Sequence, residues 1–240
     1  MIEIFKKSDQ AYGEFNNGDI IENKPIGFPS ENTSIRAYSN LFYWAHASAK
    51  IDSTIGLHPH RGFEIMTFVL EGEIRHYDTI IEKWINLKKG DIQLIQSGSG
   101  ISHSEFMQKR SSIFQIWFDP DISIAMQQEA KYQDYKSDKF IQEKNITKLV
   151  GKDSPIKIGT ENVEIFKLYV EENYSMKLEP NFYYSIYQIN GEAKINNVFI
   201  EKDDFIKIYD EKKLEFKSKK KSKFFVVKSP KKISYKTYMD

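Results

Sequence analysis

Short runs of strand-forming residues, most of them alternating apolar with polar, recur along the chain and are broken by Gly- or Asp-bearing turns. A chain with this rhythm folds into β-sheet, because alternate side chains of a strand point to opposite faces and each run then buries one face or both. "IMTFVLEGEIRHYDT" rises into Glu71-Gly72 and leaves as a second run, which predicts a hairpin. "KWINLKKGDIQLIQSG" repeats the pattern around Lys89-Gly90-Asp91. "SSIFQIWFDP" sets Phe114, Ile116 and Phe118 on one face and Ile113, Gln115 and Trp117 on the other, and Pro120 ends it. From Asp121 to about Thr160 the chain turns polar, and "ISIAMQQEAKYQDYKSDKF" predicts a connection with a turn or two of helix. Strands then resume.

The two halves resemble each other. "VLEGEIRHYD" followed by "INLKKGDIQLI" parallels "YQINGEAKINN" followed by "VFIEKDDFIKIY", with Gly72-Glu73 against Gly191-Glu192 and Gly90-Asp91 against Asp203-Asp204. Gly-turned hairpins look alike in general, but a duplicated β domain accounts for the parallel better. The expected layout is a first domain over 1–125, a connecting segment over 126–160 and a second domain over 161–240. All five histidines lie at or before residue 103, so the second half has none.

Composition excludes several classes. The 240 residues are 40% apolar and 14% aromatic, enough to fill cores. A formal net charge of +1 does not advertise nucleic acid or membrane binding. There are no cysteines, which removes disulfides, thiolate metal sites and cysteine nucleophiles. Any metal must then sit on histidine and oxygen ligands. The N-terminus lacks the apolar core of a signal peptide and no run of about 18 apolar residues exists, so the expected location is cytoplasmic.

Chemistry concentrates in two short stretches. In "LHPHRGFE", His58 and His60 stand at i and i+2, on one face of a strand and close enough to converge on one ion. Pro59 holds His58 extended and places the segment at a strand edge, while Gly62 permits a bulge. Alone, this pair reads more readily as a half-exposed strand with titratable residues than as a metal site. In "SGSGISHSEF", His103 and Glu105 repeat the spacing on another strand. Three imidazoles and a carboxylate suit Fe(II), Mn(II), Ni(II), Cu(II) or Zn(II).

The run "HPHRGFEIMTFVLEGEIRHYDT…LKKGDIQLIQSGSGISHSEF", with "QIWFDPD…YQDY" after it, resembles the pirin family of the cupin superfamily over most of the chain. The resemblance implies an all-β bicupin, two tandem jelly-roll (double-stranded β-helix) barrels with a degenerate second barrel. It implies His58, His60, His103 and Glu105 as ligands of one divalent ion, foremost Fe(II), with Ni, Cu, Mn, Co or Zn as alternatives. It also implies a quercetinase-type dioxygenase that opens a flavonol ring with O2, Glu105 acting as catalytic base. Phe63, Met66 and Phe68 are candidate pocket walls. The other reading is a metal-binding regulatory protein with a protein partner. A monomer is expected, since a bicupin pairs its own domains.

Other residues weigh less. Glu64 shares the parity of His58 and His60 in an unbroken strand, and its expected role is structural or to hydrogen-bond a ligand imidazole, rather than to ligate. Arg61 reads as a carboxylate's partner or a surface residue. His76 reads as a solvated strand end and His46 as a satisfied, partly buried residue. "SGSGIS" lacks the features of a phosphate loop and reads as a turn passing the metal site. The basic run at 212–223 reads as a solvated hairpin turn.

Overall fold

The computed structural model describes residues 1–240, and almost all regular structure in it is strand. In chain order the strands are β1 (Ile2–Phe5), β2 (Ala11–Phe15), β3 (Ile20–Ile26), β4 (Leu41–Ala49), β5 (Ser53–His60) and β6 (Glu64–Glu71). Next come β7 (Glu73–Asp78), β8 (Ile85–Lys88), β9 (Ile92–Gln96), β10 (Ile101–Met107), β11 (Ser112–Phe118) and β12 (Lys131–Tyr135). The rest are β13 (Gln142–Glu143), β14 (Ile146–Val150), β15 (Glu164–Val170), β16 (Asn173–Lys177) and β17 (Phe182–Asn190). They are followed by β18 (Ala193–Ile195), β19 (Val198–Ile200), β20 (Phe205–Ile208), β21 (Lys213–Ser218) and β22 (Ser222–Pro230). No helix is long and apolar enough to cross a membrane.

The chain forms two compact units, neither of them one continuous stretch. The first comprises Gln10–Lys139, Ile158–Glu161 and Ser234–Asp240; the second comprises Met1–Asp9, Phe140–Lys157 and Asn162–Ile233. In the first, a seven-stranded sheet (β12-β9-β6-β11-β4-β3-β2) is accompanied by a four-stranded one (β5-β10-β7-β8). In the second, the orders are β1-β20-β17-β22-β15-β14-β13 and β16-β21-β18-β19. The two sets of strand orders correspond position for position, with β17 standing for β6, β18 for β7 and β21 for β10. Each unit is a cupin jelly roll, and the chain is a bicupin as its sequence resemblance implies.

The predicted hairpins at Gly72 and Gly90 do not form. β6 pairs with β9 and β11, whereas β7 pairs with β8 and β10, in a different sheet. Gly72 is the corner between the sheets. Its φ is +72°, and a Cβ there would lie 2.9 Å from Ser111 Cα, so the turn needs glycine. A tight turn between two strand runs reads locally as a hairpin; which strand each run pairs with is a long-range matter. The polar stretch after Pro120 holds one helical turn, α1 (Ile122–Ala125), capped by Asp121. Its "KYQDY" then forms β12, an edge strand on β9.

The registers explain why the second barrel carries no histidine site. In the first, His58 pairs with His103 and His76 with Glu105. The corresponding pairs in the second are Met176 with Leu214 and Ile195 with Phe216. These side chains belong to one apolar cluster that fills the barrel.

Candidate metal centre

β5 is the edge strand of its sheet, where Pro59 costs least, as its sequence predicts. β10 lies antiparallel to it, with His103 opposite His58 and Ile101 opposite His60. Strand alternation then turns all three imidazoles to one face. Ring centroids are 4.8 Å apart for His58 and His60, 4.4 Å for His58 and His103, and 4.7 Å for His60 and His103. One nitrogen from each ring lies within 4.8 Å of the others. His60 Nε2 and His103 Nε2 approach to 2.9 Å, the separation of neighbouring ligands on an ion bonded at about 2.1 Å. His58 Nδ1 donates to the Gly56 carbonyl at 2.7 Å, which leaves Nε2 as a lone pair.

Electrostatics favour the same use. Desolvation, with His58 adding to it, lowers the His60 pKa to about 4. Desolvation and the neighbouring rings hold fully buried His103 well below its ordinary value. Neutral imidazoles present lone pairs, so the residues fit a divalent ion chemically as well as spatially.

Glu105 lies two residues beyond His103 on β10, after a register irregularity against β5. It is buried, and desolvation pushes its pKa up to about 7 against the hydrogen bonds it accepts. Those come from Gln115 Nε2 at 3.0 and 3.2 Å and from Thr67 Oγ1 at 3.4 Å. The three histidines form the converging cluster; the carboxylate stands beside it on the Gln115–Thr67 side. Gln115 also accepts from Trp117 Nε1 at 3.1 Å, and the Trp117 ring meets His60 edge-on at 4.7 Å. Gln115 was legible as the lone polar residue on its face of "SIFQIWF", but nothing local says that this face carries a site.

His58, His60 and Glu105 open onto a cavity of about 690 Å³ walled by Phe28, Tyr43, Ile55, Ile113 and Trp117. Phe63, Met66 and Phe68, the walls expected from sequence, do not line it. Thr67 reaches Glu105, so the alternation of β6 sends Met66 and Phe68 to the opposite face. Phe63 packs instead against Phe42 and Trp117.

Glu64 takes the structural one of its two expected roles and not the imidazole contact. The strand breaks at Arg61-Gly62-Phe63, where Gly62 has φ +82°, so the parity with His60 is lost. The Glu64 carboxylate is buried and accepts from Gln96 Nε2 and Gly159 N, both at 2.6 Å, and from Thr160 N at 2.9 Å and Thr160 Oγ1. It anchors the 158–161 segment and touches no ligand imidazole. Arg61 is exposed. His76, read as a solvated strand end, is fully buried and hydrogen-bonded to Asp78 at 2.7 Å. His46 is partly buried, with its ring edge-on to Phe114, as expected. In the "SGSGIS" turn, Gly98 packs against the Gln128–Ala130 backbone rather than the histidines. The 212–223 run spans β21 and the turn into β22, strands of different sheets and so not a hairpin; all its lysines but Lys223 are exposed, while Leu214 and Phe216 point inward.

Fold and site together define a bicupin whose first barrel carries a histidine cluster of metal-ligating spacing. The Pirin family model matches residues 30–118, the stretch that holds the cluster and Glu105. Over that segment the chain is similar to the pirin family. A quercetin 2,3-dioxygenase of Escherichia coli (strain K12) is 27% identical over 161 residues, 65% of this chain and 68% of that protein. A pirin-like protein of Caulobacter vibrioides is 42% identical over 65 residues, 26% of this chain and 28% of that protein. Matches to relatives from Zymomonas mobilis and Pseudomonas aeruginosa span 31% and 37% of those proteins. Among solved structures, YhhW from Escherichia coli superposes with a TM-score of 0.83 at 21% identity, covering 96% of this chain and 98% of that one. A second structure of that bacterial pirin is a complex with nickel(II) (TM-score 0.82, 20% identity, covering 96% of this chain and 99% of that one).

Proposed function

We propose that this chain is a metal-dependent dioxygenase that opens the ring of a flavonol-like aromatic with O2. The observation that supports it most is a buried carboxyl, Glu105, that opens together with His58 and His60 of the three-histidine cluster onto one aromatic-walled cavity. The likeness to a quercetin 2,3-dioxygenase points the same way. His58, His60 and His103 are the residues to hold one divalent ion, foremost Fe(II), with Glu105, which stands outside the converging cluster, as the fourth donor. Such an ion, when bound, supplies Lewis acidity that lowers the pKa of an aromatic hydroxyl. Glu105 takes that proton at its carboxylate, and a pKa of about 7 matches it to the task at neutral pH. Gln115 and Thr67 keep the carboxylate aimed, and Trp117, Phe28 and Tyr43 offer flat apolar surface to the aromatic rings. A cavity of this size lies within the range that takes a drug-sized ligand.

The test is O2 uptake by the metal-loaded protein with quercetin as substrate. Uptake in step with flavonol loss, abolished in His60→Ala, supports the proposal. Equal flavonol loss without O2 refutes it.

A further inference from the structure

His76 and Asp78 lie on the strand behind the histidine cluster, and the ladder sets them against it residue for residue. β7 pairs with β10 so that Asp78 faces His103 and His76 faces Glu105. Directly opposed residues and residues two apart share a face, so all four project into the same side of the barrel. His76, Asp78 and His103 are fully buried. A polar pair in such a place is costly unless its hydrogen-bonding capacity is used.

The hydrogen bonds around Asp78 determine which proton His76 carries. Asp78 Oδ1 accepts from Ile80 N at 2.8 Å and Ile81 N at 2.7 Å, and Oδ2 lies 2.7 Å from His76 Nε2. A carboxylate so held only accepts, so Nε2 carries the hydrogen and Nδ1 of the neutral ring is an acceptor. That Nδ1 is buried and has no partner. His103 Nδ1 is also buried and without a partner. When Nε2 of His103 ligates an ion, its Nδ1 must carry the hydrogen and is a donor. The two ring centroids are 5.5 Å apart, and the Tyr132 ring, stacked on His76 at 4.4 Å, adds a third buried, unpartnered polar atom in its hydroxyl. A ring separation of 5.5 Å is within the span of a donor and an acceptor joined by one bridging water.

We infer that His76, its tautomer held by Asp78, is a positioning residue that accepts from Nδ1–H of His103 and so sets that ring for metal ligation. The inference rests on the metal reading of His58, His60 and His103. It separates the roles of the chain's histidines: three ligate, and a fourth, on the neighbouring strand, orients one of the three.

Asp78→Asn tests it with little change of shape. The asparagine oxygen still caps Ile80 and Ile81, but its NH2 now faces His76 Nε2 and forces the hydrogen to Nδ1. Two donors then confront each other at His103. Zn(II) affinity of the full chain, measured by competition with a chromogenic chelator, should fall about 10- to 100-fold in Asp78→Asn and His76→Leu. His76→Gln, whose amide oxygen restores an acceptor, should recover to within about threefold of the parent, in the way expected of an outer hydrogen-bond partner. Asp78→Asn binding Zn(II) as the parent does would overturn the inference, whereas no Zn(II) binding by the parent would overturn the metal reading and the inference with it. Ring-nitrogen NMR of the unaltered Zn(II)-loaded protein provides a readout that no variant's folding can spoil. It should report His76 protonated at Nε2 and His103 at Nδ1; His76 protonated at Nδ1 would refute the assignment.

Discussion

Replacing Glu64 by leucine separates scaffold from site. The change keeps most of the side-chain volume and removes the acceptor of four hydrogen bonds in a position 2% exposed. The Gln96 amide and the Thr160 hydroxyl can turn to other partners, but the backbone N–H groups of Gly159 and Thr160 cannot. Each buried N–H left unpaired costs about 1–3 kcal/mol, so the loss should centre on about 4 kcal/mol. At roughly 2–4 °C per kcal/mol for a domain of this size, Tm should fall by about 8–16 °C. Thermal unfolding followed by circular dichroism measures this, and chelator competition on the same sample measures Zn(II) affinity, which should stay within about twofold of the parent. A Tm loss below about 3 °C would refute the anchoring role. A collapse of metal affinity in a still-folded variant would show instead that Glu64 supports the cluster.

Three further outcomes follow from the same geometry. Glu105→Gln should cut flavonol-dependent O2 uptake by about 10²–10⁴-fold with Zn(II) affinity within about tenfold, and an undiminished rate would remove Glu105 as the base. The raised pKa of Glu105 also predicts a pH effect in the metal-free protein. Its folded-state pKa of about 7 lies above the ordinary 4.5, so its contribution to stability is fully present below pH 4.5 and is lost as pH rises through 7. Glu105→Gln should therefore gain on the parent by about 3 kcal/mol between pH 4.5 and 8 in urea unfolding, and parallel pH profiles would contradict the burial argument. Gly72→Ala, forced to φ +72° with its Cβ against Ser111 Cα, should lose about 1–3 kcal/mol by urea unfolding; a neutral result would mean that the corner can relax.

The sequence carried the site's parts more clearly than its surroundings. His58-Pro59-His60 and His103-Ser104-Glu105 are i,i+2 pairs, and that spacing alone places each pair on one strand face. Their convergence depends on β5 pairing with β10 across more than forty residues, which the family resemblance anticipated and local pattern did not. Gly72 and Gly90 were legible as turns but not as corners between sheets, because pairing partners are chosen by the whole barrel. Phe63, Met66 and Phe68 were pocket candidates as apolar residues of the barrel wall, with their inward or outward facing left open by the sequence; the break at Gly62 and the parity of β6 turned them elsewhere.

Alternation, turn residues, the absence of cysteine and the confinement of histidine to the first half determined a duplicated β architecture and a nitrogen–oxygen donor set in one half only. These are properties of periodicity and composition, readable residue by residue. Tertiary structure alone decided that Glu64 anchors a distant segment, that Gln115 and Thr67 grip Glu105, and that His76 is buried behind His103 on the barrel's inner side. Each of these depends on which strands lie next to each other, and that is settled only when the barrel closes.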